Sequence, residues 1–220
     1  MGFMKRVFGR ARWYQALAWA YDEMALRRAA NPRPDRLRHF GENSVLHPRV
    51  FITHPGRVYI GDGSTIYNDT VIHSQGGLHV GDDVGIGYGV TILTFNHNYR
   101  NASALPYDDR FFLQPVIIRD LAWVGWNCCV LPGVEIGEGA IVGMGSVVTK
   151  NVEPLAIVQG NPATVVGRRS REHYDRCREA GLVHPHRVSE IYAEFDEVIP
   201  VMTRRRYARE LRDLGLLDDE

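Results

Sequence analysis

"IRDLAWVGWNCCVLPGVEIGEGAIVGMGSVV", residues 118–148, carries a β-branched aliphatic residue at every sixth position: Ile118, Val124, Val130, Ile136, Val142 and Val148. A helix would repeat at 3.6 residues and an alternating strand at two, and neither gives six. Repetition at six residues is the signature of a parallel β-helix. Each hexapeptide supplies a short strand and a turn, and three of them, eighteen residues, close one triangular coil. The marked side chain points into the prism and stacks on its counterparts in the coils above and below. A β-sandwich would instead show alternating strands roughly 8 to 12 residues apart, a pattern this segment lacks.

Working outward, Ile60, Ile66 and Ile72 keep the same interval, and Val80, Ile86 and Ile92 keep it in a phase displaced by two residues at "QGG", 75–77. Glycine follows many marked positions (61, 81, 87, 125, 137 and 143), where it would admit the backbone angles of a sharp corner. Open coil ends expose strand edges, so the flanks are expected to cover them. Residues 1–40 read as an N-terminal helical segment with Trp13, Leu17, Tyr21 and Met24 on one face, leading into the coils through "NPRPDR", 31–36. Residues 41–168 read as the β-helix. Residues 169–220 read as a helical extension, with short helices marked by Tyr174 and Cys177, by Ile191, Phe195 and Val198, and by Tyr207, Leu211 and Leu214.

Composition excludes several classes. Lys and Arg (26) balance Asp and Glu (26) over 220 residues, so no global charge favours nucleic acid. Residues 1–40 alone carry nine basic and three acidic residues, a net of +6 that allows weak membrane-surface association. Nothing approaches the ~20 apolar residues of a membrane span, and position 6 is Arg, which breaks the myristoylation pattern that Gly2 begins. Three cysteines, two of them adjacent at 128 and 129, fit a reducing cytoplasm better than a disulfide framework.

"IGDGSTI", "VGDDVGIGYGVTI", "WVGWNCCVLPGVEIGEGAIVGMGSVVTKNV" and "VQGNPATVV" together resemble the left-handed β-helix acyltransferases of hexapeptide-repeat type. Within that family they look most like the sugar and polysaccharide O-acetyltransferases. The resemblance covers roughly residues 58–168. It implies the left hand of the coil, a homotrimer with active sites between neighbouring prisms, and acetyl-CoA as the donor.

The beat breaks at "TILTFNHNYRNASALPYDDRFFLQP", 91–115. An excursion this long inside a compact domain is a functional loop or a disordered one. Phe95, Tyr99, Tyr107, Phe111 and Phe112 argue for order, since aromatics bury area against a partner. His97 opens the excursion 94–115. Imidazole, with an unperturbed pKa of ~6.5, is suited to take the proton of an attacking hydroxyl. In the family it resembles, the catalytic histidine stands five residues past the last inward aliphatic, and Ile92 plus five is His97. His79 lies eighteen residues earlier, one nominal coil, which raises a zinc pair. A catalytic zinc needs a third ligand that is not evident, so no metal is expected.

The resemblance also implies a donor strip of Trp123, Gly125, Trp126, Met144, Thr149, Lys150 and Arg168, with the basic residues toward the phosphates. Two departures are visible: an indole at Trp126 where the family has a small residue, and Thr164 where it has a cation. Asn68, Asp69 and Asp108 are the candidate acceptor contacts. Cys128 and Cys129 flank an inward position without an evident base and read as packing residues. The expectation is an acetyl-CoA-dependent O-acetyltransferase acting on a carbohydrate hydroxyl with His97 as general base. N-acetylation of an amino sugar, or a non-catalytic trimeric scaffold, are the alternatives.

Overall fold

The marked aliphatic residues do stack. In the computed structural model, which describes residues 33–183, Ile60, Ile66, Ile72, Ile86, Ile92, Ile118 and Ile136 are fully buried with Val80, Val124, Val130 and Val142. Three flat parallel sheets enclose them. Face A carries His39–Phe40, Val58–Ile60, Leu78–Val80, Val116–Ile118 and Glu135–Ile136. Face B carries Val45–Leu46, Thr65–Ile66, Gly85–Ile86, Trp123–Val124, Ile141–Val142 and Ala156–Gln159, and Thr164–Arg168 closes it in the antiparallel sense. Face C carries Phe51–Ile52, Val71–His73, Thr91–Leu93, Cys129–Val130 and Val147–Val148. The fold is mainly β, a parallel solenoid of about six coils consistent with a left-handed β-helix.

The coils are not uniform. After the break each strand pairs eighteen residues on, as Val124 with Val142 and Val130 with Val148. Before it the step is twenty, as Phe40 with Ile60 and Ile72 with Ile92. The last coil shortens to sixteen, with Val142 opposite Val158. Every change of length falls at the corner between faces C and A. Ile52 to Ile60 and Ile72 to Val80 take eight residues, Val130 to Ile136 takes six, and Val148 to Val152 takes four. The other two corners keep six throughout, because an extra residue there would turn the next inward side chain outward.

The glycines that follow inward residues at the A–B and B–C corners hold their place for a reason other than the one expected. Gly61, Gly81, Gly87, Gly125, Gly137 and Gly143 are absent from the positive-φ positions, which fall instead on residues such as Gly63, Gly89, Asn127 and Asp83. What they lack is room. A Cβ on Gly61 would lie 2.7 Å from the carbonyl carbon of Gly81, and one on Gly125 would lie 2.7 Å from the amide nitrogen of Met144. Stacked corners approach too closely for a side chain.

Side-chain ladders fasten the corners. Asp62 accepts the Glu42 N–H at 2.8 Å, Asp82 accepts the Asp62 N–H at 2.8 Å, and Asp120 accepts the Asp82 N–H at 3.0 Å. At the far end a helix, Arg171–Glu179, begins at Ser170, whose hydroxyl accepts the His173 N–H. The Tyr174 hydroxyl donates to Glu138 at 2.9 Å and Arg178 pairs with the same carboxylate at 2.8 Å, which ties the helix to the coil. The expected N-terminal helix and the helices around Phe195 and Leu211 lie outside the described residues, as do His184 and His186.

A paired substitution checks the reason for the glycines. Gly61→Ala should lose about 1–3 kcal/mol in chemical denaturation, the usual cost of forcing volume into packed structure. Gly56→Ala, with nothing within 4 Å of the added carbon, should stay within about 0.5 kcal/mol of wild type. Equal effects would refute close approach as the cause.

Candidate active site

The break in the beat is an ordered ribbon. Phe95–His97 and Phe111–Leu113 pair antiparallel, with Phe95 opposite Leu113, Asn96 opposite Phe112 and His97 opposite Phe111. The Gln114 N–H donates to the Thr94 carbonyl at 2.8 Å and closes the neck, so the prism resumes where it stopped. Val80 then pairs with Ile118 across the insertion. The ribbon leaves from the C–A corner, where the other length changes occur.

Strand alternation puts Phe95, His97, Phe111 and Leu113 on one side of the ribbon and Asn96 and Phe112 on the other. The His97 ring lies in a nest of aromatics. Its centroid is 3.9 Å from that of Tyr107 with the planes at 28°, 4.7 Å from Phe111 and 6.3 Å from Phe95. Its Nδ1 is buried without a hydrogen-bond partner in the chain. Asn96 and Phe112 on the opposite side line a cavity of about 320 Å³, together with Tyr99, Arg100, Leu113 and Gln114.

Asp108, a candidate acceptor contact, is engaged within the ribbon. Only 8% exposed, it takes hydrogen bonds from Arg110 Nε at 3.0 Å and a second guanidinium nitrogen at 2.6 Å, from Asn98 Nδ2 at 2.9 Å, and from the Ser103 and Arg110 N–H groups. The Arg110 guanidinium, ahead of those backbone donors and the Asn98 amide, holds its carboxyl well below the usual carboxylate range, against the opposing pull of burial. Asp69 is likewise committed, to Arg49 at 2.8 Å through both carboxylate oxygens, in a turn position with φ of 62°. Asn68 stands beside it on the B–C corner with its Oδ1 buried and unpartnered, which leaves Asn68 the freer of the two to meet a ligand.

The donor candidates divide between two corners of one prism. Gly125, Trp126 and Met144 share the B–C corner, with Trp126 52% and Met144 68% exposed. Thr149 and Lys150 stand on the C–A corner, where the register Ile92, Val130, Val148 puts Lys150 two coils, roughly 10 Å, along from the ribbon neck. Trp123 projects from face B opposite Gly85 and lines a cavity of about 520 Å³ beneath the helix Arg171–Glu179. Arg168 ends the antiparallel strand, opposite Ala156. Cys128 is buried against the Gly143 carbonyl at 3.2 Å, and burial pushes its thiol up, as a packing residue requires. His79 does not lie one coil from His97 on the same face. It stacks on Tyr59 at 4.5 Å on face A, and its partner in the next coil is Ile117, because the insertion makes that coil thirty-eight residues long.

Sequence reading passed over one array. His47, Tyr67, Tyr88 and Trp126 form a row of ring contacts along the B–C corner, stacked, tilted and edge-on in turn, at 4.8, 4.9 and 5.1 Å between centroids. Their spacings of 20, 21 and 38 residues hide the contact from any count in sixes.

Comparison with known proteins agrees with this geometry. The family described as "Hexapeptide repeat of succinyl-transferase" matches residues 115–150. A putative colanic acid biosynthesis acetyltransferase, WcaF of Escherichia coli K12, is 29% identical over 131 residues, 59% of this chain and 68% of that one. The galactoside O-acetyltransferase of the same organism is 29% identical over 136 residues, 62% of this chain and 64% of its own length. The crystal structure of the hexapeptide-repeat acetyltransferase VCA0836 of Vibrio cholerae, complexed with acetyl coenzyme A, superposes with a TM-score of 0.59 at 26% identity, covering 67% of this chain and 88% of that one. Coil, repeat and relatives all point to one class, the hexapeptide-repeat acyltransferases, to which this chain is similar. Within the class it is similar to proteins named for galactoside and colanic acid acetylation.

The Asp108 network gives a pH dependence with a definite sign. A carboxyl held low in the folded chain stabilises it above the unfolded value of ~3.9, and that contribution is lost as the pH falls below it. Hydrogen exchange of residues 95–113, corrected for intrinsic rate, should therefore accelerate between about pH 5 and pH 3. In Asp108→Asn it should already be fast at pH 6. Wild-type protection that stays level down to pH 3 would contradict the assignment.

Proposed function

We propose that the protein is an acetyl-CoA-dependent O-acetyltransferase that acts on a carbohydrate hydroxyl, with His97 as general base. One observation carries the reading: the only large insertion among the described coils delivers a half-buried imidazole, set among aromatic rings, to the corner that leads along the coils to Lys150. His97 accepts the hydroxyl proton as the acceptor oxygen attacks the thioester carbonyl, and it returns the proton to the departing thiolate. Direct transfer of this kind needs no covalent acyl-enzyme, which suits the buried, raised thiol of Cys128.

The donor strip fits an acyl-pantetheine arm in kind. Trp126 and Met144 offer exposed apolar surface, and Lys150 offers a point charge for phosphate. Trp126 and Met144 stand on the B–C corner and His97 on the C–A corner of one prism, so a cleft formed by two copies brings them together more readily than one copy does. The ribbon supports that arrangement. Phe111, Phe112 and Leu113 are 51%, 45% and 53% exposed, apolar area that a neighbouring prism would cover. A homotrimer of closed cyclic symmetry is the assembly we propose. Three free thiols, at 128, 129 and 177, fit a reducing compartment such as the cytoplasm. Among the described residues no helix is long and apolar enough to cross a membrane.

Two measurements bear on this. Thiol release from acetyl-CoA over a panel of mono- and oligosaccharides should identify an acceptor, and with it His97→Ala should lower kcat by roughly 10² to 10⁴. His79→Ala should keep most of the activity. Transfer at the wild-type rate by His97→Ala would remove the proposed base, and transfer to amines alone would replace O- by N-acetylation. Light scattering should give about 75 kDa, three times 24.9 kDa; a monomer at micromolar concentration would remove the shared cleft.

A further inference from the structure

The residues that follow His97 and Tyr107 in the chain are Asn98 and Asp108, and these two are joined. Asn98 Nδ2 donates to Asp108 Oδ2 at 2.9 Å, and the Asp108 N–H donates to the Asn98 carbonyl at 3.3 Å. The Asn98 N–H donates in turn to the Arg110 carbonyl at 2.9 Å, and Arg110 returns its guanidinium to Asp108 and to the Asn101 carbonyl at 3.0 Å. Asn98 is 2% exposed and Asp108 8%, so the network is a small polar core inside the ribbon tip. Each residue of the pair 97 and 107 is therefore fixed by the residue next to it.

The consequence is the stacking of Tyr107 on His97. No carboxylate reaches either ring nitrogen of His97 among the hydrogen bonds of the described residues, and Nδ1 is buried without a partner. An imidazole used as a base is oriented by a hydrogen bond to its second nitrogen in the arrangement that pairs a base with a third group. Here that bond is missing and ring contact stands in its place: Tyr107 at 3.9 Å and Phe111 at 4.7 Å, with Phe111 set directly across the ribbon. Tyr107 remains 46% exposed, so it serves no packed core and its ring finds its main contact on the histidine.

We propose that Tyr107 is a positioning residue for His97, held against the imidazole by the Asn98–Asp108–Arg110 network, and that aromatic stacking does the orienting that a carboxylate does in other bases. The inference rests on His97 being the base. It gives the network a functional purpose that neither its burial nor its charge alone would reveal. Misplacing a catalytic group by about 1 Å costs up to roughly 10² in rate, so loss of the ring contact should appear in kcat.

The test uses the full-length protein with Tyr107→Leu and Tyr107→Phe. The leucine variant should lose about 10-fold or more in kcat with the KM for acetyl-CoA unchanged, and the phenylalanine variant, which keeps the ring, should stay within about 3-fold of wild type. Independently of activity, the ring protons of His97 in histidine-labelled protein should be shifted upfield by the neighbouring ring. They should move on Tyr107→Leu and hold on Tyr107→Phe. Wild-type kcat in Tyr107→Leu, or His97 resonances that do not move, would overturn the proposal. If His97→Ala is fully active while the resonances move as expected, the stacking stands but its role as an aid to the base falls with the base itself.

Discussion

Coil-to-coil register is the constraint on which the rest of this structure depends. Buried β-branched side chains such as Ile66, Ile86, Val124 and Val142 stand one above another on face B, and a single extra residue between corners would turn the next one out to solvent. Two corners obey that constraint without exception. The third absorbs everything else: steps of eight residues twice, the twenty-six from Ile92 to Ile118, then six and four. A site built from inserted chain can therefore arise at the C–A corner at no cost to the core.

Function follows from that freedom. A prism with flat faces offers poor pockets, and the ribbon adds relief: a histidine and three aromatic rings on one side, a cavity of mixed polar and apolar lining on the other. The neck, closed by Gln114 on Thr94, isolates the ribbon from the stack beneath it. Its tip is stiffened by its own polar core around Asp108 rather than by the prism. The acyl chemistry proposed for the ribbon thus rests on a structure that can vary in sequence while the coils keep their register.

Much of this was legible in the sequence because inward packing writes itself in fixed intervals. The six-residue beat gives the fold, and the break gives His97 and the ribbon's extent. What the beat hides is whatever depends on contacts between coils of unequal length. Counting in eighteens sets His79 beneath His97, whereas the insertion lengthens that coil to thirty-eight residues, so His79 pairs with Ile117 and stacks on Tyr59. The aromatic ladder of His47, Tyr67, Tyr88 and Trp126 is invisible for the same reason. Glycine after many marked residues was visible, but the cause was not: a corner that needs φ above zero and one too close to its neighbour for a Cβ look identical in a sequence. Asp108 looked like a loop acid free to meet a ligand because nothing in its spacing announces Asn98 and Arg110 as partners.

The central claim is that the ribbon carries the chemistry and the prism does not need it. The register supports a direct test. Val80 pairs with Ile118 thirty-eight residues on, so excising residues 95–114 and joining Thr94 to Pro115 leaves a coil of eighteen, the length found in the next coils. The account predicts a chain with the wild-type β circular dichroism and a cooperative melt that still binds CoA and transfers no acetyl group. A folded product that transfers acetyl groups would contradict it, and so would a chain that cannot form the coils without its ribbon.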